Sequence, residues 1–91
     1  MQIELLQTFR DNVRRMPKAQ RRAVARAIDE AHAGFGTPHL HSGLSIRRLR
    51  QNYFECRVGL DIRLAFRVKR GRMIFGAAGN HDEIRKLIKS Q

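Results

Sequence analysis

The sequence predicts an α+β fold: an N-terminal helical hairpin packed on one face of a 3–4-stranded antiparallel sheet, with a short C-terminal helix. Three observations predict it. Apolar residues recur at helical spacing as far as Gly36. Beyond Gly36 the period changes to two, with basic residues alternating against apolar ones. The turns between these later segments are too short for a crossover, so consecutive strands must run antiparallel.

The first helix is marked by Leu5, Phe9, Val13 and Met16, flanked by Gln7, Arg10, Asp11, Arg14 and Arg15. Ile3–Leu6 also reads as a short edge strand, and so few residues do not decide between the two. Pro17 stops this element and can open the next helix. KAQRRAVARAIDEAHAGFG follows, with Val24, Ala27, Ile28 and Ala31 on one face and Gly34 and Gly36 at its end. A strand is plausible at Ser45–Arg50. In YFECRV, Phe54, Cys56 and Val58 alternate with Tyr53, Glu55 and Arg57. In DIRLAFRVK, Ile62, Leu64, Phe66 and Val68 alternate with polar or small residues. RMIFGAAG supplies the last strand after a turn at Arg70-Gly71. HDEIRKLIKSQ reads as a short helix, with an Ile84, Leu87, Ile88 stripe and acids in its first turn.

Residues opposite one another in an antiparallel pair share a face, so the register predicts a surface. A three-residue loop at Gly59–Asp61 pairs Phe54 with Phe66 and Cys56 with Leu64, and sets Arg57 opposite Arg63. A two-residue loop at Arg70-Gly71 pairs Phe66 with Phe75, Leu64 with Ala77, Ala65 with Gly76 and Arg63 with Ala78. The expected result is an open groove. Its floor is Ala65, Gly76 and Ala78, its sides are Arg57, Arg63 and Arg67, and Tyr53 and Glu55 lie along it. Two facing arginines repel and need an anion, either Glu55 and Asp61 from within or a phosphate from outside. The small floor favours a ligand, because Gly and Ala inside strands mark a close approach.

The chain has 91 residues, which bounds it to one domain, residues 1–91, and a net charge of +11. That charge predicts a polyanionic partner. It comes from 15 Arg and 4 Lys against 8 acids, and is concentrated in residues 42–80. Arginine suits bidentate contact with phosphate. One cysteine, Cys56, excludes an intrachain disulfide framework and a Cys-based zinc site. No apolar run is long enough to span a membrane, and no secretory signal is visible, so a cytoplasmic protein is expected.

His32 reads as an ordinary, partly exposed helix residue. His39-Leu40-His41 alternates as a metal-binding pair would, but no third ligand is evident, and no metal or cofactor is expected. His81 follows the last strand, at the sheet end where Arg57, Asp61 and Arg63 gather. A histidine, a carboxylate and two arginines around a basic groove make a workable ribonuclease set. Cleavage needs a base for the 2′-OH, cations for the phosphorane charge and an acid for the leaving 5′-oxygen. Imidazole suits proton transfer near neutrality. Cys56 falls on the apolar face and reads as core.

Taken in order, PHLHSGLSIRRL, YFECRVGLDIRLAFRV and GNHDEIRKLI resemble the RelE/ParE superfamily of bacterial toxin–antitoxin toxins. Tyr53-Phe54-Glu55-Cys56, Val58 and Asp61 look most like its YafQ branch. The resemblance implies the RelE/ParE-like fold and a ribosome-dependent mRNA endonuclease that inhibits translation. It also implies an acidic antitoxin as partner, in a toxin–antitoxin complex that is a higher oligomer. Asp61 and His81 match catalytic positions, and Arg63 matches the strand arginine that binds the scissile phosphate. Arg57 stands where the branch has a histidine, so charge stabilisation replaces proton transfer there. His39 or His41 would match the loop histidine upstream of the sheet. His81 would be the general acid, and Asp61 or a loop histidine the base. Arg47, Arg48, Arg50, Arg67, Lys69, Arg70 and Arg72 would dock ribosomal RNA and mRNA. No tyrosine follows His81 as it does in many members. Two other readings remain: a ParE-like DNA gyrase inhibitor, and a catalytically degenerate member that binds only its antitoxin.

Overall fold

Both helices of the N-terminal half bury the stripes that their spacing requires. In the computed structural model, which describes residues 1–36 and 45–89, α1 spans Gln7–Arg14 and α2 spans Lys18–Gly34. Phe9 on α1 and Val24 and Ala31 on α2 are buried, and Val13, Ala27 and Ile28 pack beside them. Pro17 is the residue before α2, with its φ of -58° suited to a helix entry. The short-strand reading of the N-terminus is the one realised: β1 spans Gln2–Leu5.

The sheet has five strands in the order β1-β5-β4-β3-β2, with β2 at Arg47–Arg50, β3 at Tyr53–Val58, β4 at Ile62–Lys69 and β5 at Arg72–Gly79. It is mixed, which corrects the expectation of three to four antiparallel strands. β1 runs parallel to β5, with Ile3 against Met73 and Leu5 against Phe75. The amide of Gln2 donates to the Gly71 carbonyl at 2.9 Å, and that of Leu6 to the Phe75 carbonyl at 3.0 Å. Glu4 and Arg72 pair at 2.9 Å along the same edge. A parallel neighbour can come from the far end of the chain because all the intervening elements serve as its crossover.

The first hairpin has the expected register, with Phe54 opposite Phe66, Cys56 opposite Leu64 and Arg57 opposite Arg63. The second starts as expected. Arg70 and Gly71 form its two-residue turn with φ of 51° and 75°, the paired left-handed conformation that matches strand twist. Phe66 then meets Phe75. Beyond that pair the register departs from expectation. A bulge at Gly76 shifts Ala65 onto Ala77, Leu64 onto Ala78 and Arg63 onto Gly79. The Ala78 amide is satisfied from outside the sheet, donating to Asn12 Oδ1 on α1 at 3.0 Å.

All five phenylalanines of the chain join in one cluster beneath α1 and α2. Phe66 is its centre, with ring centroids 5.6 Å from Phe54, 5.1 Å from Phe75 and 5.9 Å from Phe35. Phe9 extends it at 5.5 Å from Phe75. Such edge-on and offset contacts add to the stabilisation from burial.

The opposite face of the sheet is also covered. The C-terminal helix α3, His81–Lys89, sets Ile84, Leu87 and Ile88 against Ala65, Ala77 and Leu49. The expected open groove with a small floor is therefore occupied at its centre by the chain itself. The physical reason is the same small floor: alanines let a helix carrying isoleucine and leucine approach the sheet closely. The fold thus has a helical layer on each side. No helix among the described residues is long and apolar enough to cross a membrane.

Cys56 lies in the larger core, as its alternation predicts. Burial, reinforced by the Glu55 carboxylate, raises its thiol from 9.0 to about 12. Because the folded thiol holds its proton to higher pH than the unfolded one, stability should fall as pH rises from about 9 towards 12. Urea unfolding at about pH 8 and about pH 11 reads this, since Cys56→Ala should lose less stability between the two than the parent chain. An equal loss in both would assign the alkaline decline to other groups.

Candidate active-site cleft

The end of the sheet beyond α3 remains open, and three elements converge there. Arg57 closes β3 and Arg63 opens β4, directly opposite one another. Because of the bulge, Gly79 lies opposite Arg63, so β5 delivers the start of α3 beside the two arginines. Close approach at this junction requires glycine, since a Cβ on Gly79 would come within 3.0 Å of Glu83 Oε1.

The helix start is fixed by a reciprocal cap. The Glu83 amide donates to Asn80 Oδ1 at 2.8 Å, and the Asn80 amide donates to Glu83 Oε1 at 2.9 Å. His81 is the first residue after that cap. It is half-buried, and its Nδ1 is buried without a hydrogen-bond partner among the described residues. This leaves Nε2 as the nitrogen able to meet a ligand. The histidine is thus not tied to a backbone carbonyl through Nδ1, the ordinary arrangement beside a helix cap.

Together His81, Arg57, Arg63, Arg47, Glu55, Ser45 and Ile46 line a cleft of ≈ 390 Å³. Glu55 is 6% exposed and pairs with Arg47 Nη2 at 3.1 Å. A buried carboxylate needs such a partner to offset its desolvation. Arg47 itself lies on the exposed edge strand β2. Arg57 and Arg63 have no carboxylate partner among the described residues, and Arg63 Nη1 makes only a long contact of 3.5 Å to the Leu60 carbonyl. The two facing cations are therefore not neutralised by Glu55 or Asp61, and the cleft presents them to any anion that enters.

The structure separates several residues that the sequence grouped. Asp61 is exposed and borders a different hollow, with Ala19, Gln20 and Ala23 of α2. The carboxylate that reaches the cleft is Glu55, one pleat away on the buried part of β3. His39 and His41 lie outside the described residues. Arg47 belongs to the cleft itself. Arg48 bonds the Gln51 carbonyl at 2.8 Å, and Arg50 donates to the Ile88 carbonyl at 3.1 Å, tying down the end of α3. Arg67 sits over the Tyr53 ring at 5.8 Å from its centroid, and Arg72 pairs with Glu4. Lys69 and Arg70 occupy the opposite hairpin, roughly 20 Å along β4 from Arg63. These seven cations do not form one surface with the cleft. Arg85 and Lys89, which line its continuation beside α3, carried no assignment. Their spacing of four along a helix was the available signal.

Protons can move through Glu55 and His81, and phosphate charge can be met by Arg57 and Arg63. Among the described residues no three His, Cys, Asp or Glu side chains converge as a metal site would need.

No protein-family model matches the sequence, and no curated protein matches it. Solved structures do. A chain of the RelB–RelE antitoxin–toxin complex from Methanococcus jannaschii superposes with a TM-score of 0.71 at 21% identity, covering 92% of this chain and 96% of that one. The YoeB/ParE toxin from Agrobacterium tumefaciens gives 0.70 at 19% identity, with 89% and 99% covered. YafQ from E. coli gives 0.67 at 18% identity, with 90% and 94% covered. The fold is that of the RelE/ParE toxins, as the motifs implied.

Proposed function

We propose that this chain is the toxin of a type II toxin–antitoxin module and a ribosome-dependent endoribonuclease acting on mRNA. The observation that carries this reading is the cleft. An unpaired pair of arginines, a buried carboxylate and a histidine with a free nitrogen face one cavity. In the reaction, the 2′-oxygen attacks phosphorus and the bond to the 5′-oxygen breaks, leaving a 2′,3′-cyclic phosphate and a 5′-hydroxyl. Glu55 takes the 2′-OH proton, a role the sequence had given to Asp61 or a loop histidine. Arg57 and Arg63 hold the charge that grows on the phosphoryl oxygens, and His81 protonates the departing 5′-oxygen. Arg47 is released from Glu55 towards the phosphate as substrate enters. The partner is an acidic antitoxin that masks the basic cleft, in a complex of several copies. The RelB–RelE assembly has such a pairing of toxin with antitoxin.

A gyrase inhibitor of the ParE kind would need no proton-transfer groups, so the cleft favours cleavage. Mapping mRNA 5′ ends after induction separates the two. New ends within translated codons, with DNA topology unchanged, are expected. Trapped gyrase–DNA complexes with intact mRNA would overturn the nuclease reading.

A further inference from the structure

The cleft does not stop at His81. A second cavity, also ≈ 390 Å³, opens between α3 and β2, and Arg47, Glu55 and His81 line both. The two form one trough with the acid–base pair at its waist. Their walls differ. On the first side the lining is cationic and polar around Arg57 and Arg63. On the second, Leu49, Ile84 and Ile88 make an apolar floor, and Arg85 and Lys89 stand along its rim.

Arg85 and Lys89 are one helical turn apart on α3, rising about 6 Å along its axis. Neither makes an ion pair or hydrogen bond among the described residues, although Asp82 and Glu83 lie on the same helix. Glu83 is committed to the cap of Asn80. An apolar floor beside two unpaired cations matches the two halves of a nucleotide, a base with an apolar face and a phosphate with a charge. A purely acidic peptide would leave the floor unused.

Resting on the ribonuclease reading above, we infer that this second cavity is the subsite for the nucleotide flanking the scissile phosphate. Its base lies on Leu49, Ile84 and Ile88, and its phosphate is held by Arg85 and Lys89. Arg50 is a positioning residue for this subsite, because its bond to the Ile88 carbonyl holds the far end of α3 over β2.

The test uses the full chain and 2′-O-methyl oligoribonucleotides of increasing length, which cannot be cleaved through a 2′-OH. Affinity should rise when the oligonucleotide grows long enough to reach past the scissile position. The double variant Arg85→Gln, Lys89→Gln should lose that gain, about tenfold, and its log–log salt slope should fall by roughly 1.4 for two lost phosphate contacts on a single strand. In translation-coupled cleavage, KM should rise with kcat nearly kept. Leu49→Ala should alter which base is preferred at the flanking position. If the parent chain cleaves mRNA and the double variant matches it in length dependence, salt slope and KM, the subsite is refuted while the nuclease reading stands. A fall in kcat at unchanged KM would refute it too, by placing these residues in the chemistry. A parent chain that neither binds oligonucleotides nor cleaves would remove both. Loss of binding to an acidic partner protein, with oligonucleotide affinity intact, would reassign the surface to that partner.

Discussion

Replacing His81 with alanine is expected to abolish mRNA cleavage and growth arrest in a chain that still folds. General acid catalysis contributes about 10²–10⁴-fold, and the loss should be of that order. The fold should survive for local reasons. The helix start is held by Asn80 and Glu83, whose reciprocal bonds of 2.8 and 2.9 Å do not involve the imidazole. The helix is seated on the sheet by Ile84, which is 2% exposed, and not by His81. Removing a nitrogen buried without a partner also removes a destabilising group. Primer extension on a translated message reads the activity, and the urea midpoint reads the fold. Undiminished cleavage would take His81 out of the mechanism, whereas a collapsed midpoint would make its role structural.

Phe66→Ala should nearly or wholly unfold the protein. Phe66 is 1% exposed and touches the rings of Phe35, Phe54 and Phe75. Truncating a buried phenylalanine costs about 3–5 kcal/mol through lost transfer energy and the cavity left behind. Native domains have only about 5–15 kcal/mol in total, and one of this size belongs towards the lower end. The loss should therefore appear as a sharply lowered melting temperature or as no cooperative transition. Leu60→Ala is the matched control. That leucine is 87% exposed at the hairpin turn, so its truncation should change stability by less than about 0.5 kcal/mol. If Phe66→Ala melts like the control, the aromatic cluster is not the centre of the core.

Much of the molecule was legible in its residues. Alternation from Tyr53 to Lys69 fixed which side chains enter the core, because a pleated strand leaves no other choice. The short turns at Gly59–Asp61 and Arg70-Gly71 then fixed Arg57 against Arg63. Phe9, Val24 and Ala31 followed from helical spacing in the same way. The Ile84, Leu87, Ile88 stripe was also visible, but its partner surface was not. A stripe states that a helix must be covered, without naming the sheet face that covers it.

The candidate site was legible in its parts and misread in its assembly. Asp61 and Arg63 are two residues apart in sequence, yet the turn sends Asp61 towards α2 while Arg63 enters the cleft. Glu55 looked like a groove-lining counter-ion and proves to be the buried carboxylate beside His81. The bulge at Gly76 left no mark that alternation could reveal, since one skipped residue in a run of Gly and Ala keeps every local preference satisfied. It nevertheless decides that Gly79 stands opposite Arg63.

By itself, then, the sequence determined the elements, the faces of β3 and β4 and the facing arginines, because these depend on local periodicity and turn length. Only the tertiary structure decided that β1 joins β5 in parallel, that α3 fills the small floor and that the cleft lies at the sheet end. Those outcomes depend on contacts between residues far apart in the chain, whose energies no local pattern encodes.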